Sequence, residues 1–518
     1  MKKTVVLLAF MLIVFCGSVA AVRHLSMNVL DNDTSGEMLL SHCIYEEKSP
    51  ICSDWNYSTE YRITNQVVFA LLFAVFDAWI DVRIIGILVI EIILVLSFIF
   101  MMYGAELKTD SVLFGAILIM LPYCVAYGRI VLFYGFYAPY LIFMFLDFGC
   151  FFRCLNNGQK YRSLWAAALF VFSMLGCVSG VRQFFITMVP MAALALLFWI
   201  RTKKSKPLII TLLSLSGGAA GLLIYRLVIM KAVSLHAETL TKIVFKGVSE
   251  VFIVIFTVLR QFGYRSGINK FSFLGMMSSG GILVTGYVLL CSFTALIKEN
   301  DEKAFYLKGM VFAAVTINCF LFLFAELPYN EAYDYSRYLT PASVWCVPLF
   351  CVLFERKQQM ILRVLYGFIL VIFVGNGVIN LCFLENPSHF SQEFDGLSFR
   401  ETADIGIYGK ELDFIRAGGY ELGYAFSDPN VISEKLNGLP VVPIEVRNDD
   451  IVYFDWLTRK SFRDTPADKA FLCARPNEAG TFLAYPISDY ADYAFTDNGE
   501  WIVFEITDLD AFKKSLAE

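Results

Sequence analysis

The chain has 518 residues, of which 58% are hydrophobic and only 17% are charged, and its mean hydropathy is +0.62. Soluble globular proteins carry about 45–50% apolar and about 25% charged residues, so this composition excludes an ordinary soluble protein. The formal net charge is -5, and no long basic run indicates a nucleic-acid partner. Most of the chain is therefore predicted to lie in a lipid bilayer.

Apolar runs near twenty residues predict about eleven membrane-spanning helices, because about 30 Å of hydrocarbon requires about 20 helical residues. The predicted spans are 4–22, 84–103, 111–127, 135–153, 164–181, 184–200, 208–230, 279–297, 307–326, 338–354 and 362–384. The first run also resembles a cleaved signal peptide, since two lysines precede it and small residues follow its core. Its apolar stretch continues to Val22, which favours an uncleaved anchor, and the next loop lies outside in both cases.

Basic residues indicate the orientation of these spans. They cluster in the short loops on one side, which the positive-inside rule makes cytoplasmic. They are Lys2, Lys3, Arg153, Lys160, Arg162, Arg201, Lys203, Lys204, Lys206, Lys298, Lys303, Lys308, Arg356, Lys357 and Arg363. The amino terminus is therefore predicted inside and, after an odd number of spans, the C-terminal segment outside.

Three outer segments are too polar or too long to be simple turns: 23–83, 231–278 and 327–337. The first ends in the apolar stretch Val67–Trp79, which is too short to cross and predicts a helix in the membrane interface. The spans and these loops make 1–384 a transmembrane domain, and 385–518 a separate outer domain.

The outer domain is predicted to be a small α/β or α+β fold. One helix is expected at Lys410–Ala417, because two glycines follow it. Strands are expected at Tyr424–Phe426, Val441–Val446, Ala470–Ala474, Thr481–Tyr485 and Trp501–Ile506, where apolar runs are separated by turn residues.

An acidic cluster lies just beyond the first span: Asp31, Asp33 and Glu37. Two carboxylates at i and i+2 can share a divalent cation such as Mg²⁺ or Mn²⁺, because hard ions prefer oxygen ligands. Alternatively, one carboxylate can act as a general base on an attacking hydroxyl. Simple solvation of a surface loop is the third interpretation, and the position next to a span favours a role at a lipid head group.

A second cluster combines aromatic and polar side chains, namely Asp54, Trp55, Tyr57, Glu60, Tyr61 and Arg62. Aromatic faces beside carboxylates suit a sugar, whereas an interfacial aromatic belt is the competing interpretation. Cys43 and Cys52 lie in the same outer loop, where an oxidising exterior would allow a disulfide. The sequence leaves open whether they pair or stay reduced.

Arginines near the outer ends of spans form the third group. An arginine beside hydrocarbon is costly unless it is paired, so Arg182, Arg265 and Arg337 are candidates for binding a lipid phosphate through their guanidinium groups. Snorkelling to lipid head groups is the alternative, and it is the preferred one for Arg226. Glu91 lies inside the second span, where a structural partner is a simpler explanation than a proton relay.

The layout resembles the GT-C superfamily of membrane glycosyltransferases, which use polyprenyl-phosphate sugars. The matching features are one amino-terminal span, then a long outer loop that begins with acids, many further spans and an outer C-terminal domain. The specific residues are Asp31-Asn32-Asp33 with Glu37, the segment 56–62, and Arg337-Tyr338 before Pro341. The chain is also similar to uncharacterised bacterial multi-span proteins through Leu422–Phe426.

The resemblance implies an inverting transfer of a sugar at the outer face of a bacterial cell membrane, onto a glycan, a teichoic acid or a protein. Asp33, or else Asp31, would be the base, and Arg337, Arg265 or Arg182 would bind the departing lipid phosphate. The resemblance leaves a metal requirement at Asp31 and Asp33 open. The sugar or the acceptor is expected to contact Glu37, Trp55, Tyr57, Glu60, Arg62 and Tyr335.

Two other functions remain compatible with the sequence. A transporter or flippase of a lipid-linked saccharide should show repeated halves and broken or polar mid-membrane helices, whereas the polar residues here gather on one side. A non-catalytic envelope-assembly protein would use the C-terminal domain to bind a partner. Substitution of Asp31 or Asp33 by Asn separates these functions from sugar transfer, because only transfer needs the carboxylates.

Overall fold

The computed structural model of the protein describes residues 2–28, 30–57, 61, 64–156, 161–235, 244, 247–265, 269–324, 332–356, 359–382, 409–448, 450–497 and 501–516. Helices form most of the first 382 residues. They are α1 (Lys2–Asn28), α2 (Asn32–Glu47), α3 (Thr64–Phe73), α4 (Trp79–Gly104), α5 (Thr109–Met120), α6 (Val125–Phe133), α7 (Ala138–Leu155), α8 (Arg162–Cys177), α9 (Phe184–Thr202), α10 (Lys206–Ala232), α11 (Val248–Arg260), α12 (Phe273–Lys298), α13 (Glu302–Phe324), α14 (Ala332–Ser343), α15 (Cys346–Glu355) and α16 (Met360–Cys382).

Strands and short helices alternate after residue 408. The helices are α17 (Gly409–Gly418), α18 (Pro429–Lys435), α19 (Pro476–Phe482) and α20 (Leu509–Ser515). The strands, counted with two short ones earlier in the chain, are β1 (Trp55–Tyr57), β2 (Ser234–Leu235), β3 (Leu422–Ala425), β4 (Val441–Arg447), β5 (Asp450–Tyr453), β6 (Thr458–Arg459), β7 (Ala470–Ala474), β8 (Ala491–Phe495) and β9 (Ile502–Ile506).

The protein is a multi-pass membrane protein. Among the residues described, nine helical segments are long and apolar enough to cross a membrane; one of them, Ser336–Glu355, consists of the end of α14 together with α15. The bent pair α5–α6 gives a tenth if it counts as one span. The helix α8 is apolar but has only 16 residues. Each predicted run therefore coincides with a helix, but the expected eleven full-length spans become nine or ten.

The third predicted span is broken because Pro122 interrupts it, and its two halves are bent by 86°. Proline has no N–H group and disfavours a helical conformation of the residue before it, and Leu121 is extended. Side chains bind the carbonyl groups that the break leaves without helical partners: Asn380 donates to the Pro122 oxygen (2.5 Å) and the Tyr127 hydroxyl to the Ile119 oxygen (2.6 Å). Such replacement bonds are what a broken helix needs at membrane depth.

The chain folds into two compact units. The first, here called the membrane unit, comprises Met1–Arg23, Ile87–Val228 and Thr239–Arg400. The second, here called the sheet unit, comprises His24–Gly86, Ile229–Glu238 and Glu401–Glu518. The sheet unit thus combines the C-terminal segment with most of the first predicted outer loop, 23–83.

Helices of the membrane unit approach closely where small residues face a neighbour. A Cβ atom on Gly217 of α10 would collide with the backbone oxygen of Phe170 in α8, and one on Gly221 with that of Met174. Small residues at such positions let helix backbones pack in contact, which drives association in lipid.

The sheet unit is built on a six-stranded sheet with the order β5-β4-β3-β7-β9-β8. The central strands β4, β3 and β7 are parallel, and β5, β9 and β8 pair antiparallel at the two sides. Apolar clusters cover both faces, one around Leu472 and Phe504 and the other around Val431 and Phe471. A small sheet of order β2-β1-β6 joins three distant parts of the chain.

Most predicted elements of the C-terminal domain are confirmed as the helix α17 and the strands β3, β4, β7 and β9. The strand predicted at Thr481–Tyr485 is wrong, because its first residues belong to the helix α19. Pro476 occupies the start of that helix, and the Glu478 carboxylate accepts the Arg475 backbone N–H (2.8 Å). These are helix-start signals that outweigh the apolar pattern.

Candidate functional site

The acidic cluster lies at the amino end of α2, in the sheet unit. Asp31 is the N-cap residue: its Oδ1 accepts the Thr34 backbone N–H (2.8 Å), and the Thr34 hydroxyl in turn accepts the Asp31 N–H (3.4 Å). Asp33 lies in the first turn of the helix. The partial positive charge at a helix start stabilises negative side chains in this turn.

A turn of the C-terminal segment holds this helix start. The backbone N–H of Asn430 donates to Oδ1 of Asn32 (2.9 Å), and its side-chain amide donates to the Asn32 carbonyl oxygen (3.2 Å). Asn32 lies between the two aspartates, so both are fixed relative to α18. The sequence separation of 398 residues hides this contact from any local pattern.

The structure places the other predicted sugar contacts of the first loop inside the sheet unit. Glu37 is 6% exposed on α2, Trp55 is 0% exposed and Tyr57 is 2% exposed on β1. The Tyr57 hydroxyl accepts the Cys52 backbone N–H (2.9 Å). Glu60 and Arg62 lie outside the described residues, as does the side chain of Tyr335.

The carboxyl end of α2 is closed by a disulfide between Cys43 and Cys52, whose Cα atoms are 6.2 Å apart. The Glu47 carboxylate lies beside both sulfur atoms and also accepts the Ser53 backbone N–H (3.0 Å). Cys43, Glu47 and Cys52 have the spacing of a metal site, but sulfur atoms that are bonded to each other offer no thiolate ligand. This group is therefore structural.

Arg459 on β6 ties the same end of α2 to the sheet unit. Its guanidinium pairs with Glu46 (2.5 Å) and with Asp54 (3.1 Å). Burial lowers the pKa of Arg459, but its bonds to these two carboxylates outweigh burial and raise the pKa above its usual value. Both ends of α2 are thus anchored by residues of the C-terminal segment.

Two of the three predicted arginines meet on one ring in the membrane unit. The Arg182 guanidinium lies 4.2 Å from the ring centre of Tyr338, and the Arg337 guanidinium lies 5.4 Å from the same centre. Arg182 also donates to the Tyr137 hydroxyl. Both arginines are half-buried.

The third arginine, Arg265, is 4% exposed and is anchored near the break between α5 and α6. It donates to Asn380, which also bonds the Pro122 carbonyl oxygen. Its backbone N–H donates to the Ser278 hydroxyl (2.7 Å). Residues of α12, α16 and the Pro122 break therefore fix its position.

Sequence reasoning missed Gln261, which connects α14 with the segment before Arg265. Its side-chain amide donates to the Ser336 carbonyl oxygen (2.8 Å), and its oxygen accepts from the hydroxyl groups of Thr340 (3.1 Å) and Ser343 (3.2 Å). Gln261 is 0% exposed. A polar side chain in the apolar stretch 251–262 is the sequence signal that could have identified it.

Glu91 has a structural partner, as the simpler interpretation predicted, although the partner is a serine. The Ser18 hydroxyl lies 2.9 and 2.8 Å from its two carboxylate oxygens, and both residues are buried. This bond joins α1 to α4 within the membrane unit.

The predicted site residues thus fall into two groups, each with its own described geometry. The carboxylates of Asp31 and Asp33 belong to the sheet unit, and Arg182, Arg265 and Arg337 belong to the membrane unit. Convergence of the two groups on one pocket stays a prediction of the sequence.

No protein-family model and no curated protein matches the sequence. Among solved structures, the crystal structure of ArnT from Cupriavidus metallidurans in the apo state is similar, with a TM-score of 0.53 and 11% sequence identity. The match covers 98% of this chain and 99% of that chain. At this identity the likeness shows the fold alone: this is a polytopic membrane protein whose fold is similar to that of ArnT, in line with the architecture that the resemblance predicted.

Proposed function

We propose that the protein is an inverting glycosyltransferase that moves a sugar from a polyprenyl-phosphate donor to an acceptor hydroxyl at the outer face of a bacterial membrane. The carrying observation is the position of Asp33 at the start of α2, directly after the first span, in a chain that shares its fold with ArnT over almost its whole length. The fold alone would not specify a reaction. The carboxylate at the start of α2 supplies the chemistry.

In the proposed reaction, an acceptor hydroxyl oxygen attacks the anomeric carbon from the face opposite the phosphate. The new carbon–oxygen bond forms as the bond to the phosphate oxygen breaks, and the bonding electron pair leaves with the polyprenyl phosphate. The carboxylate of Asp33 takes the proton of the hydroxyl. The products are the glycosylated acceptor with inverted configuration and free polyprenyl phosphate.

The local structure supports different roles for Asp31 and Asp33. The Asp31 carboxylate caps α2 through its bond from Thr34, and such a cap stabilises a helix by about 1 kcal/mol. Asp33 follows the cap within the first turn. We therefore assign the proton transfer to Asp33 and the support of the helix start to Asp31.

The arginines of the membrane unit are assigned to the donor phosphate. Negative charge increases on this phosphate as the sugar departs, so a cation fixed in advance stabilises the transition state more than the ground state. Tyr338 and Tyr137 orient Arg182, Tyr338 contacts Arg337, and Asn380 orients Arg265. The acceptor is assigned to the sheet unit, which carries Asp33.

A divalent cation is not part of the proposed mechanism. Oδ1 of Asp31 already accepts a backbone N–H. The residues described around α2 contain no group of three carboxylate ligands within metal-binding distance at Asp31 and Asp33. The positive helix end also disfavours a cation there.

A flippase of a lipid-linked saccharide is the second candidate, and the break at Pro122 favours it. Discontinuous helices line the substrate sites of many transporters, and α5 and α6 are bent by 86°. A flippase, however, makes no use of a proton acceptor at Asp33.

Matched substitutions of the two aspartates test the proposal. Asp33→Asn removes the base and should reduce transfer by about 100-fold to 10,000-fold. Asp31→Asn keeps an equally good helix cap, so transfer should stay close to the wild-type level. The assay uses purified protein in proteoliposomes with a panel of polyprenyl-phosphate hexoses and pentoses, with and without EDTA, and glycans of a deletion strain identify the acceptor. Full activity of Asp33→Asn overturns the assignment, and saccharide translocation by that variant supports the flippase.

A further inference from the structure

A buried ion pair lies within the sheet unit, and one of its members bonds the backbone next to Asp33. Arg83 in the first turns of α4 donates to both carboxylate oxygens of Glu434 on α18, at 2.6 Å and 2.5 Å. The side chains are 2% and 4% exposed. Two parallel bonds between a guanidinium and a carboxylate fix angle as well as distance.

The same guanidinium also bonds the helix that carries Asp33. Nη2 of Arg83 donates to the Thr34 backbone oxygen (3.1 Å). Thr34 is adjacent to Asp33 and forms the capping bonds with Asp31. The Arg83 guanidinium thereby links Glu434 to the turn of α2 that carries Asp33.

A second contact of α18 acts on the same turn. Asn430 and Glu434 are four residues apart and thus face the same side of the helix, and Asn430 bonds Asn32 with both its backbone and its side chain. The first turn of α2 is therefore linked to α18 on both sides of Asp33 in sequence, directly at Asn32 and through Arg83 at Thr34.

Stability alone does not require this ion pair. The attraction within a buried ion pair often does no more than offset the free energy cost of removing both charges from water. Well-packed apolar residues of similar volume often stabilise a protein as much or more. What apolar residues lack is directional bonding, which fixes a helix start to within a few tenths of an ångström. Such precision matters for a proton acceptor, since a displacement of about 1 Å can cost about 100-fold in rate.

From these contacts we infer that Glu434 and Arg83 are positioning residues that hold Asp33 at its catalytic distance. The inference rests on the proposed role of Asp33. In this inference the C-terminal segment contributes to the reaction without touching the reacting atoms, because α18 determines the position of the Asp33 carboxylate.

Substitution of the pair, with a matched control at the other end of α2, tests this inference. Glu434→Gln keeps the volume but removes the charge, and kcat should fall by about 10- to 100-fold while KM for the donor stays unchanged. The charge exchange of Arg83→Glu with Glu434→Arg should recover part of the lost kcat. Glu46→Gln breaks the pair with Arg459 at the far end of α2 and should leave kcat at the wild-type level.

Thermal unfolding of each purified variant separates misfolding from misplacement. If Glu434→Gln does not fold, Asn430→Ala takes its place, because it removes only the side-chain bond to Asn32 and should lower kcat by a smaller factor. A folded Glu434→Gln or Asn430→Ala protein with wild-type kcat, or a loss no larger than that of Glu46→Gln, overturns the positioning role. Loss of transfer in Asp33→Asn with full transfer in Glu434→Gln refutes only this inference, whereas full transfer in Asp33→Asn refutes the proposed function itself.

Discussion

The ring of Tyr338 contacts the guanidinium groups of two residues, Arg182 and Arg337. Guanidinium groups above a tyrosine ring gain about 0.5–2 kcal/mol each, with the larger values at desolvated sites, and Arg182 and Arg337 share this ring. The two cations would repel each other if no anion lay near them. The donor phosphate proposed above would supply such an anion.

The shared ring makes a prediction about donor affinity. Tyr338→Leu removes the ring from both arginines and should raise KM for the donor about 10-fold, which corresponds to about 1.4 kcal/mol and lies within the range for one such contact. Tyr338→Phe keeps the ring and serves as the matched control, with KM near the wild-type value. Steady-state kinetics in proteoliposomes measure both, and equal KM values for the two variants would contradict a role for the ring.

At the scale of elements, an ion cluster fixes the short connection between α12 and α13. Glu299 accepts hydrogen bonds from Lys308 on α13 (2.8 Å) and from Arg356 at the end of α15 (2.7 Å). Burial raises the pKa of Glu299, but these two cations outweigh it and lower the pKa to about 2. The ionised carboxylate therefore holds three helices together.

This cluster predicts a pH dependence of stability. The pKa of Glu299 in the folded protein, about 2, lies below the ordinary value of 4.5, so its contribution is complete above about pH 4.5 and is lost as the pH falls towards 2. Glu299→Gln should lower the thermal midpoint at pH 7, and the difference from wild type should shrink below pH 4.5. Thermal unfolding in detergent across this range measures it, and a difference that does not depend on pH would refute the assignment.

Hydrophobic runs and helix signals identified elements well in this chain but did not determine their lengths. The run 111–127 is continuous in hydropathy, yet Pro122 divides it into α5 and α6, because proline lacks the N–H group that a continuous helix needs. The Pro122 carbonyl oxygen accepts a hydrogen bond from the distant Asn380. The run at 481–485 likewise gives no sign that Pro476 and Glu478 begin a helix before it. The ends of these helices can be predicted only when both the local sequence pattern and the distant bonding partners are known.

At the scale of the molecule, the disulfide and the basic loops indicate the same orientation. Disulfides persist on oxidising sides of membranes, and Cys43–Cys52 belongs to the sheet unit. The basic loops predict that Lys204 is cytoplasmic. The disulfide and the basic loops together therefore predict an exterior sheet unit.

Cysteine labelling of intact cells tests this orientation. A cysteine replacing Tyr493, which is 62% exposed on the sheet unit, should react with an impermeant maleimide in intact cells. A cysteine replacing the exposed Lys204 should react only after the membrane is permeabilised. The chain without either added cysteine gives the background of its own thiols. Labelling of the Lys204 position alone in intact cells would reverse the predicted topology.

The sequence by itself determined the membrane class, the position of nearly every span, the mixed C-terminal domain, and the acids and arginines that make up the candidate site. These features follow from hydropathy, helix length and the cost of charge beside lipid, all of which act within a few neighbouring residues. Only the tertiary structure decided that the first loop and the C-terminal segment form one sheet unit, that Asp31 caps α2 while Arg182 and Arg337 share Tyr338, and that Arg83 bonds Glu434 across 351 residues. Such contacts depend on how distant segments pack, and no periodicity along the chain records which carboxylate will meet which guanidinium.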